Sequence, residues 1–355
     1  MLNVGIIIVK SLSNLCDHFI FLLESVKFCE IILIMNYLKY FKGKKIVVAG
    51  GNGFFGSHIV EKLREVKCEI LIPRTKDGID FRRYEDCVSY LSMTRPHIVI
   101  NCAADQGGIA YHTDKQADLF LDNMLMGMNL MHASQKLGVK KFVNIVAGCS
   151  YPGYVESEEM NEDEYWNGKL HESIFSFGFP RKASVVYGLA LKKQFDFNSI
   201  HLIMANMFGP REHFNPEQSK ALAGLIKKIY EAKRGNLPMV EVWGTGKPTR
   251  DWLYVKDGAE AILRATAFYN DIEPLNIATG VGISIAKLAE TIKKVVGYKG
   301  KLVYNTKKPD GALHKTFGIK KMKKVLNWVP STPLAKGIKE TVDWLNKNYE
   351  QAITY

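Results

Sequence analysis

Cysteine is sparse in this chain of 355 residues, and the 6 present (Cys16, Cys29, Cys68, Cys87, Cys102, Cys149) form no C-x-x-C pair and no Cys/His ligand spacing. That pattern excludes a zinc knuckle and a disulfide-stapled scaffold, and it fits a reducing, cytoplasmic setting. Long apolar runs are missing too. The stretch 1–34 is apolar, but Lys10, Asp17, His18, Glu24, Lys27 and Glu30 interrupt it, so no run reaches the roughly 18–20 residues that a membrane span needs. It also lacks a basic head followed by a small-residue cleavage site, which argues against a signal peptide. Met35 stands just ahead of the first legible strand. The expectation is that the native chain starts there, with 1–34 an upstream extension. Repeats and low-complexity segments are absent as well.

Charge of one sign is not concentrated anywhere. The formal net charge is +12, from 48 Lys and Arg against 36 Asp and Glu, yet the lysines are spread along the chain, with only short clusters such as Lys320-Lys321 and Lys323-Lys324. Nucleic-acid binding calls for a basic stripe with interleaved aromatics or a known module, and neither is present. A small anionic ligand such as a nucleotide suits the charge equally well. At 47% hydrophobic and 24% charged, the composition is that of an ordinary globular protein.

What is present begins with a glycine turn. Lys45-Ile46-Val47-Val48-Ala49 runs into Gly50-Gly51-Asn52-Gly53-Phe54-Phe55-Gly56, and a helical stretch follows from Ser57. In a strand–turn–helix of this kind, one glycine makes the tight turn, one lets a pyrophosphate approach the backbone, and one lets helix and strand pack closely. The strand before and the helix after are the context that separates a dinucleotide site from a plain surface turn.

Apolar strands then alternate with helical stretches. Strands are expected at 69–72, 97–101, 141–146 and 201–204, with amphipathic helices at 119–137 and 182–195. Continuous apolar strands alternating with helices predict an α/β fold, a Rossmann-type parallel sheet with helices on both faces. Ligands bind beyond the carboxyl ends of such strands, which singles out Arg74, Ala103-Ala104, Ala147-Gly148-Cys149 and Asn206. From about Gly209 the pattern becomes mixed, and a smaller C-terminal α/β substrate lobe is expected. Arg74 follows the second strand, where an acidic residue would serve the ribose hydroxyl of NAD. A guanidinium there suits the 2′-phosphate of NADP; a solvated surface arginine is the competing reading.

These segments, together with Asn101-Cys102-Ala103-Ala104, Asn206-Met207-Phe208-Gly209-Pro210, Trp243-Gly244-Thr245-Gly246, Arg250 to Asp257 and Leu275 to Gly280, resemble an extended short-chain dehydrogenase/reductase. Within that superfamily the chain is most similar to the GDP-L-fucose synthase family, NADPH-dependent 3,5-epimerase/4-reductases of GDP-4-keto-6-deoxymannose. Gln106-Gly107-Gly108-Ile109, Cys149 with Tyr151-Pro152, Val295 to Gly300 and Lys308-Pro309-Asp310-Gly311 carry that closer match, which spans about 44–345. It implies NADP in preference to NAD, a GDP-linked sugar as substrate, a homodimer, residues 35–210 mainly as the NADP-binding domain, and 211–355 mainly as the nucleotide-sugar lobe.

The resemblance also implies roles. Gly50, Gly53, Phe54, Phe55, Gly56, Arg74, Asp80, Ala103, Ala104 and Lys182 fall on the cofactor side. Asp80 matches an acid at the adenine edge, though a turn-capping aspartate reads as well. Cys149 matches the family's base in epimerisation, where a 4-keto group acidifies the C3 and C5 protons. The family's second group is a histidine; the matching position here is Lys220, as in the cysteine/lysine pairing of GDP-mannose 3,5-epimerase. Lys220 reads equally as an exposed helix lysine. Lys228, Arg250 and Lys315 fall where the family places cations for the diphosphate and sugar, with Trp243 in a loop near them and Asn206 at a strand end on the substrate side.

The departures concern reduction. The superfamily transfers hydride with a Ser/Thr, a Tyr and a Lys, the last two spaced Y-x-x-x-K. Counting from Cys149 puts Ala147 at the serine position. Counting from Gly209-Pro210 puts Lys182 at the lysine and Gly178 at the tyrosine. Ser150, Tyr151, Tyr154 and Tyr187 are the hydroxyls considered as replacements. Three readings follow: an epimerase/reductase of a 4-keto GDP-sugar with NADP(H) bound, a 3,5-epimerase without net reduction using Cys149 and Lys220, or a non-catalytic NADP-binding homologue.

Overall fold

Ile46, Val47, Val48 and Ala49 are all fully buried, because the sheet they belong to is covered on both faces. Ile46 and Val48 pack with Ile59, Leu63 and Ile100 on one face. Val47 and Ala49 pack with Leu91, Val99 and Met131 on the other. Successive residues of a strand point to opposite faces, so a doubly covered strand reads as a continuous apolar run.

The computed structural model describes residues 37–154, 157, 159–215, 219–308 and 310–354; the expected start at Met35 and the extension 1–34 lie outside them. Thirteen strands follow in chain order among the described residues: β1 (Lys45–Ala49), β2 (Glu69–Leu71), β3 (Ile98–Asn101), β4 (Lys141–Ala147), β5 (Glu159–Met160), β6 (Ser199–Met204), β7 (Asn206–Phe208), β8 (Met239–Trp243), β9 (Thr249–Tyr254), β10 (Leu275–Ile277), β11 (Gly282–Ser284), β12 (Lys301–Asn305) and β13 (His314–Phe317). The helices that matter for the site are α1 (Gly56–Leu63), α2 (Tyr84–Thr94), α3 (Ile109–Asp114), α4 (Gln116–Lys136), α5 (Phe175–Phe195) and α6 (Ala221–Arg234).

The main sheet has the order β10-β6-β4-β3-β1-β2, and every pairing in it is parallel. It is the Rossmann-type α/β sheet that the alternation predicts. The chain leaves β1 to one side for β2 and returns on the other for β3. The strand order therefore reverses between β1 and β3, which places a ligand crevice at their carboxyl ends.

The C-terminal half is not a separate block. Its β10 joins the main sheet beside β6. In return β5 leaves the N-terminal half to pair with β13, which pairs in turn with β9. Strand β9 also pairs with β7 and β11, and β12 pairs with β8. Helix α5 starts seven residues before the expected 182, and Pro180 lies inside it. A proline this near the N-terminus forfeits one backbone bond; burial of Phe177, Gly178 and Arg181 holds the added turns.

Candidate active site

The glycine turn closes against the end of β3. Gly50 has φ +71°, and a Cβ there would lie 2.9 Å from the Ala103 nitrogen and the Cys102 carbonyl carbon. A Cβ on Gly56 would lie 2.3 Å from the Gly50 carbonyl oxygen, so α1 can start this close to β1 only with glycine at both places. Gly53 is different: exposed, with only the Gly50 oxygen at 3.3 Å from a built Cβ, it faces open space. Phe54 and Phe55 are each 8% exposed and belong mainly to the core. Ala103 accepts a hydrogen bond from Arg181 Nη2 at 3.2 Å, and Ala104 is exposed.

Cys149 sits half-buried in a turn, Gly148–Ser150, directly after β4. Two elements press on that turn. A Cβ on Gly178 of α5 would lie 2.6 Å from the Cys149 carbonyl oxygen, and one on Gly148 would lie 2.4 Å from the Phe317 ring of β13. Burial raises the Cys149 thiol above its ordinary value, and Lys315, Arg181 and Lys220 offset only part of that rise.

Lys315 and Arg250 are register partners across β13 and β9. Burial lowers the pKa of both, and the Arg250 charge lowers that of Lys315 further. Like charges directly opposite each other in a sheet are destabilising, so this pair is suited to an anion. Arg250 also faces Asp310, whose carboxylate clasps the Thr245 hydroxyl and backbone N–H, both at 2.7 Å. That clasp fixes the loop after Trp243, and it accounts for Asp310 in the Lys308 to Gly311 motif; Pro309 lies outside the described residues. Trp243 is 53% exposed, with the Lys228 and Lys308 ammonium groups 4.9 Å and 5.1 Å from its ring centroid. Asn206, exposed on β7, donates from Nδ2 to the Asp251 carbonyl.

Lys220 caps α6. Its ammonium lies 4.0 Å from Glu212, 5.5 Å from the Phe54 ring centroid, and faces Cys149 and His112 electrostatically. It is therefore a paired, part-buried lysine at the start of the helix. No group of three or more His, Cys, Asp or Glu among the described residues could hold a metal ion.

Residues 46–278 match the model of the NAD dependent epimerase/dehydratase family. The chain belongs to that family. It is 33% identical to a GDP-L-fucose synthase of Sinorhizobium fredii over 312 residues, which is 88% of this chain and 96% of the relative. It is 34% identical to a putative GDP-L-fucose synthase 2 of Arabidopsis thaliana, over 87% of this chain and 94% of that one. A crystal structure of a GDP-L-fucose synthetase from Naegleria fowleri bound to NADP superposes with a TM-score of 0.79 at 30% identity, covering 86% of this chain and 94% of that one.

For an enzyme of the NAD dependent epimerase/dehydratase family, the glycine turn at the β1/β3 crevice fits a dinucleotide. Gly53 leaves room for a pyrophosphate where a side chain would fill it. Two expectations on the cofactor side meet competition. The Arg74 guanidinium is held by both Asp77 oxygens, at 2.5 Å and 3.0 Å. Asp80 accepts from Arg82, both backbone and guanidinium, as the turn-capping reading has it.

Lys182 turns toward Tyr165. Its ammonium donates to the Tyr165 carbonyl at 2.5 Å and lies over the Tyr165 and Trp166 rings. The buried cation that α5 turns toward Ala103 is Arg181, one residue earlier. Four residues before Arg181 stands Phe177, whose ring lies 5.3 Å from the guanidinium carbon, next to Gly178 at the expected tyrosine position. Neither has a hydroxyl. The substitutes considered are engaged elsewhere: Ser150 Oγ donates to the Ala147 carbonyl, Tyr151 to Asn276, and the Tyr187 hydroxyl bonds His132. Tyr154 is 82% exposed. Sequence reasoning missed Arg181, Asn123 and Glu212. The F-x-x-x-R spacing of Phe177 and Arg181 was the available signal for the first.

Proposed function

We propose that this enzyme binds NADP and acts on a 4-keto GDP-sugar, exchanging the protons next to the ketone. The observation that carries the reading is Cys149 in the turn after β4, pressed by Gly178 of α5 and by Phe317 of β13 and facing the charges of Lys315, Arg181 and Lys220. Cys149 Sγ removes the proton from the carbon beside the carbonyl, and Lys220 Nζ returns one from the opposite face; one proton leaves and one arrives. Arg250 holds the diphosphate, with Lys315 between it and the sugar end near Cys149, and Lys228 and the Trp243 ring beside the nucleotide. Gly50, Gly53 and Gly56 form the pyrophosphate cradle, and Arg74 turns from Asp77 to the 2′-phosphate. NADPH, when bound, supplies hydride.

Net reduction also needs a proton for the carbonyl oxygen. Ala147, Phe177 and Gly178 carry none, which favours a second reading, epimerisation without reduction. We further infer that residues 35–210 mainly serve the cofactor and 211–355 the nucleotide sugar. The unpaired Cys68, Cys87, Cys102 and Cys149 suit the cytoplasm, and among the described residues no helix is long and apolar enough to cross a membrane. A homodimer would cover Leu121 of α4 and Phe175, Phe179 and Val186 of α5, all exposed; light scattering at the mass of two chains is the expected result.

The test is incubation with GDP-4-keto-6-deoxymannose in deuterated water, with and without NADPH. Deuterium at C3 or C5, lost in Cys149→Ser, supports the reading. Oxidation of NADPH with a reduced sugar product selects the reductase, and exchange without oxidation selects the epimerase. Bound NADPH with neither exchange nor oxidation sinks both.

A further inference from the structure

Arg181 is only 4% exposed, yet the groups its guanidinium touches are neutral. It donates to the Ala103 carbonyl and to Asn123 Oδ1, at 3.2 Å and 2.8 Å, and lies against the Phe177 ring. Among the described residues its buried Nε has no hydrogen-bond partner. Burial pushes the guanidinium down to about 10. A buried cation is costly unless an anion offsets it. Lys315 poses the same problem from the other side of the site, half-buried with Arg250 as its cross-strand neighbour.

Both cations approach one turn. Residues two apart on a strand share a face, so Lys315 projects from β13 on the side of Phe317, whose ring abuts Gly148. Gly178 of α5 abuts the Cys149 carbonyl, and Arg181 lies about one helical turn further along the same helix. Among the described residues, Lys220, already paired with Glu212, and the Tyr165 phenol also face Cys149, and Arg181 faces the Cys102 thiol as well.

We propose that Arg181 and Lys315 are the two counter-ions of a Cys149 thiolate, one supplied by the helix and the other by the strand. The inference rests on Cys149 being the base of the proposed function and adds what offsets the cost of ionising that base in its buried setting. Arg181 and Lys315 are positioning residues in this respect, acting through the sulfur. Arg181 thereby has a role that Lys182, turned toward Tyr165, cannot take.

The rate at which iodoacetamide alkylates Cys149, followed across pH on the full-length protein by mass spectrometry of its peptide, tests this. The thiolate attacks carbon and displaces iodide, while the thiol does not. Arg181→Gln and Lys315→Met are each expected to move the profile to higher pH, lowering the rate at pH 8 about tenfold, the effect of about one pKa unit. Arg181→Lys should restore most of it. An unchanged profile in either charge-removing variant overturns the joint assignment. If melting curves show that Arg181→Gln is unfolded, Lys315→Met decides by the same criterion. No substrate is needed, so the two ideas fail separately: a wild type that shows the expected profiles but no deuterium exchange refutes only the proposed function.

Discussion

The Lys220 ammonium lies 4.0 Å from the carboxylate of Glu212, whose side chain is 3% exposed against 32% for the lysine. Burial raises the Glu212 pKa, and Lys220 and the His213 backbone N–H lower it. The ion pair thus ties a cation at the mouth of the site to a carboxylate fixed in the interior. Removing the lysine leaves the buried carboxylate with the His213 N–H but without the cation beside it.

Lys220→Met should lower stability by about 1–3 kcal/mol, the cost of a buried group left unsatisfied, and cut deuterium exchange by about 10²–10⁴-fold. Lys220→Arg should recover the stability more fully than the exchange, since a guanidinium keeps the charge but does not give up a proton. Denaturant melts and the exchange assay read the two effects apart. Equal recovery of both would remove Lys220 from the chemistry.

Gly56→Ala places a methyl 2.3 Å from the Gly50 oxygen. Backbone must move, at a cost of about 1–3 kcal/mol, and the turn that carries Gly53 moves with it. The expected result is a lower melting temperature together with loss of NADPH binding, followed by the fluorescence of the bound nucleotide. Binding at wild-type affinity would take the glycine turn out of the cofactor site.

Arg74 can reach a 2′-phosphate only by leaving Asp77. Asp77→Asn should therefore tighten NADPH binding several-fold and leave NADH unchanged, and Arg74→Ala should weaken NADPH about tenfold through loss of a charge-assisted pair. Titration of both nucleotides into both variants checks the pattern. Parallel changes for NADH and NADPH would assign Arg74 to the surface.

His201 is fully buried in β6, where burial pushes its pKa down to about 3, and its Nδ1 bonds Asn144 Nδ2 at 3.1 Å. In the unfolded chain the ring titrates near its ordinary 6.5. Between those values the unfolded state binds more protons, so stability is full above about 6.5 and falls as pH drops toward 3, by up to ~1.4 kcal/mol per pH unit. His201→Gln should flatten that slope. Melting temperatures from pH 7 to pH 4 that run parallel in the two proteins would contradict it.

Much of this was legible along the chain. The Gly50 to Gly56 turn, the apolar strands and the placement of Cys149 after β4 depend on local pattern, because glycine alone tolerates φ +71° with a backbone 2.9 Å away and doubly covered strands must be apolar throughout. Element ends were less legible. Helix α5 continues through Pro180 because tertiary burial of Phe177 and Arg181 outweighs one lost bond.

Sequence by itself determined that a Rossmann-type sheet would present Cys149 and a glycine cradle at one edge. Which cation would stand beside that cysteine was a tertiary decision. Arg181 and Lys182 are adjacent and both basic, but successive helix residues differ by about 100° in direction, so packing of α5 on the Cys149 turn selects Arg181 and sends Lys182 to Tyr165. Lys315 and Arg250 lie far apart in the chain and become neighbours only through the β13–β9 register. Spacing along the chain carries no record of such a pairing, because it is set by which strands the folded core brings together.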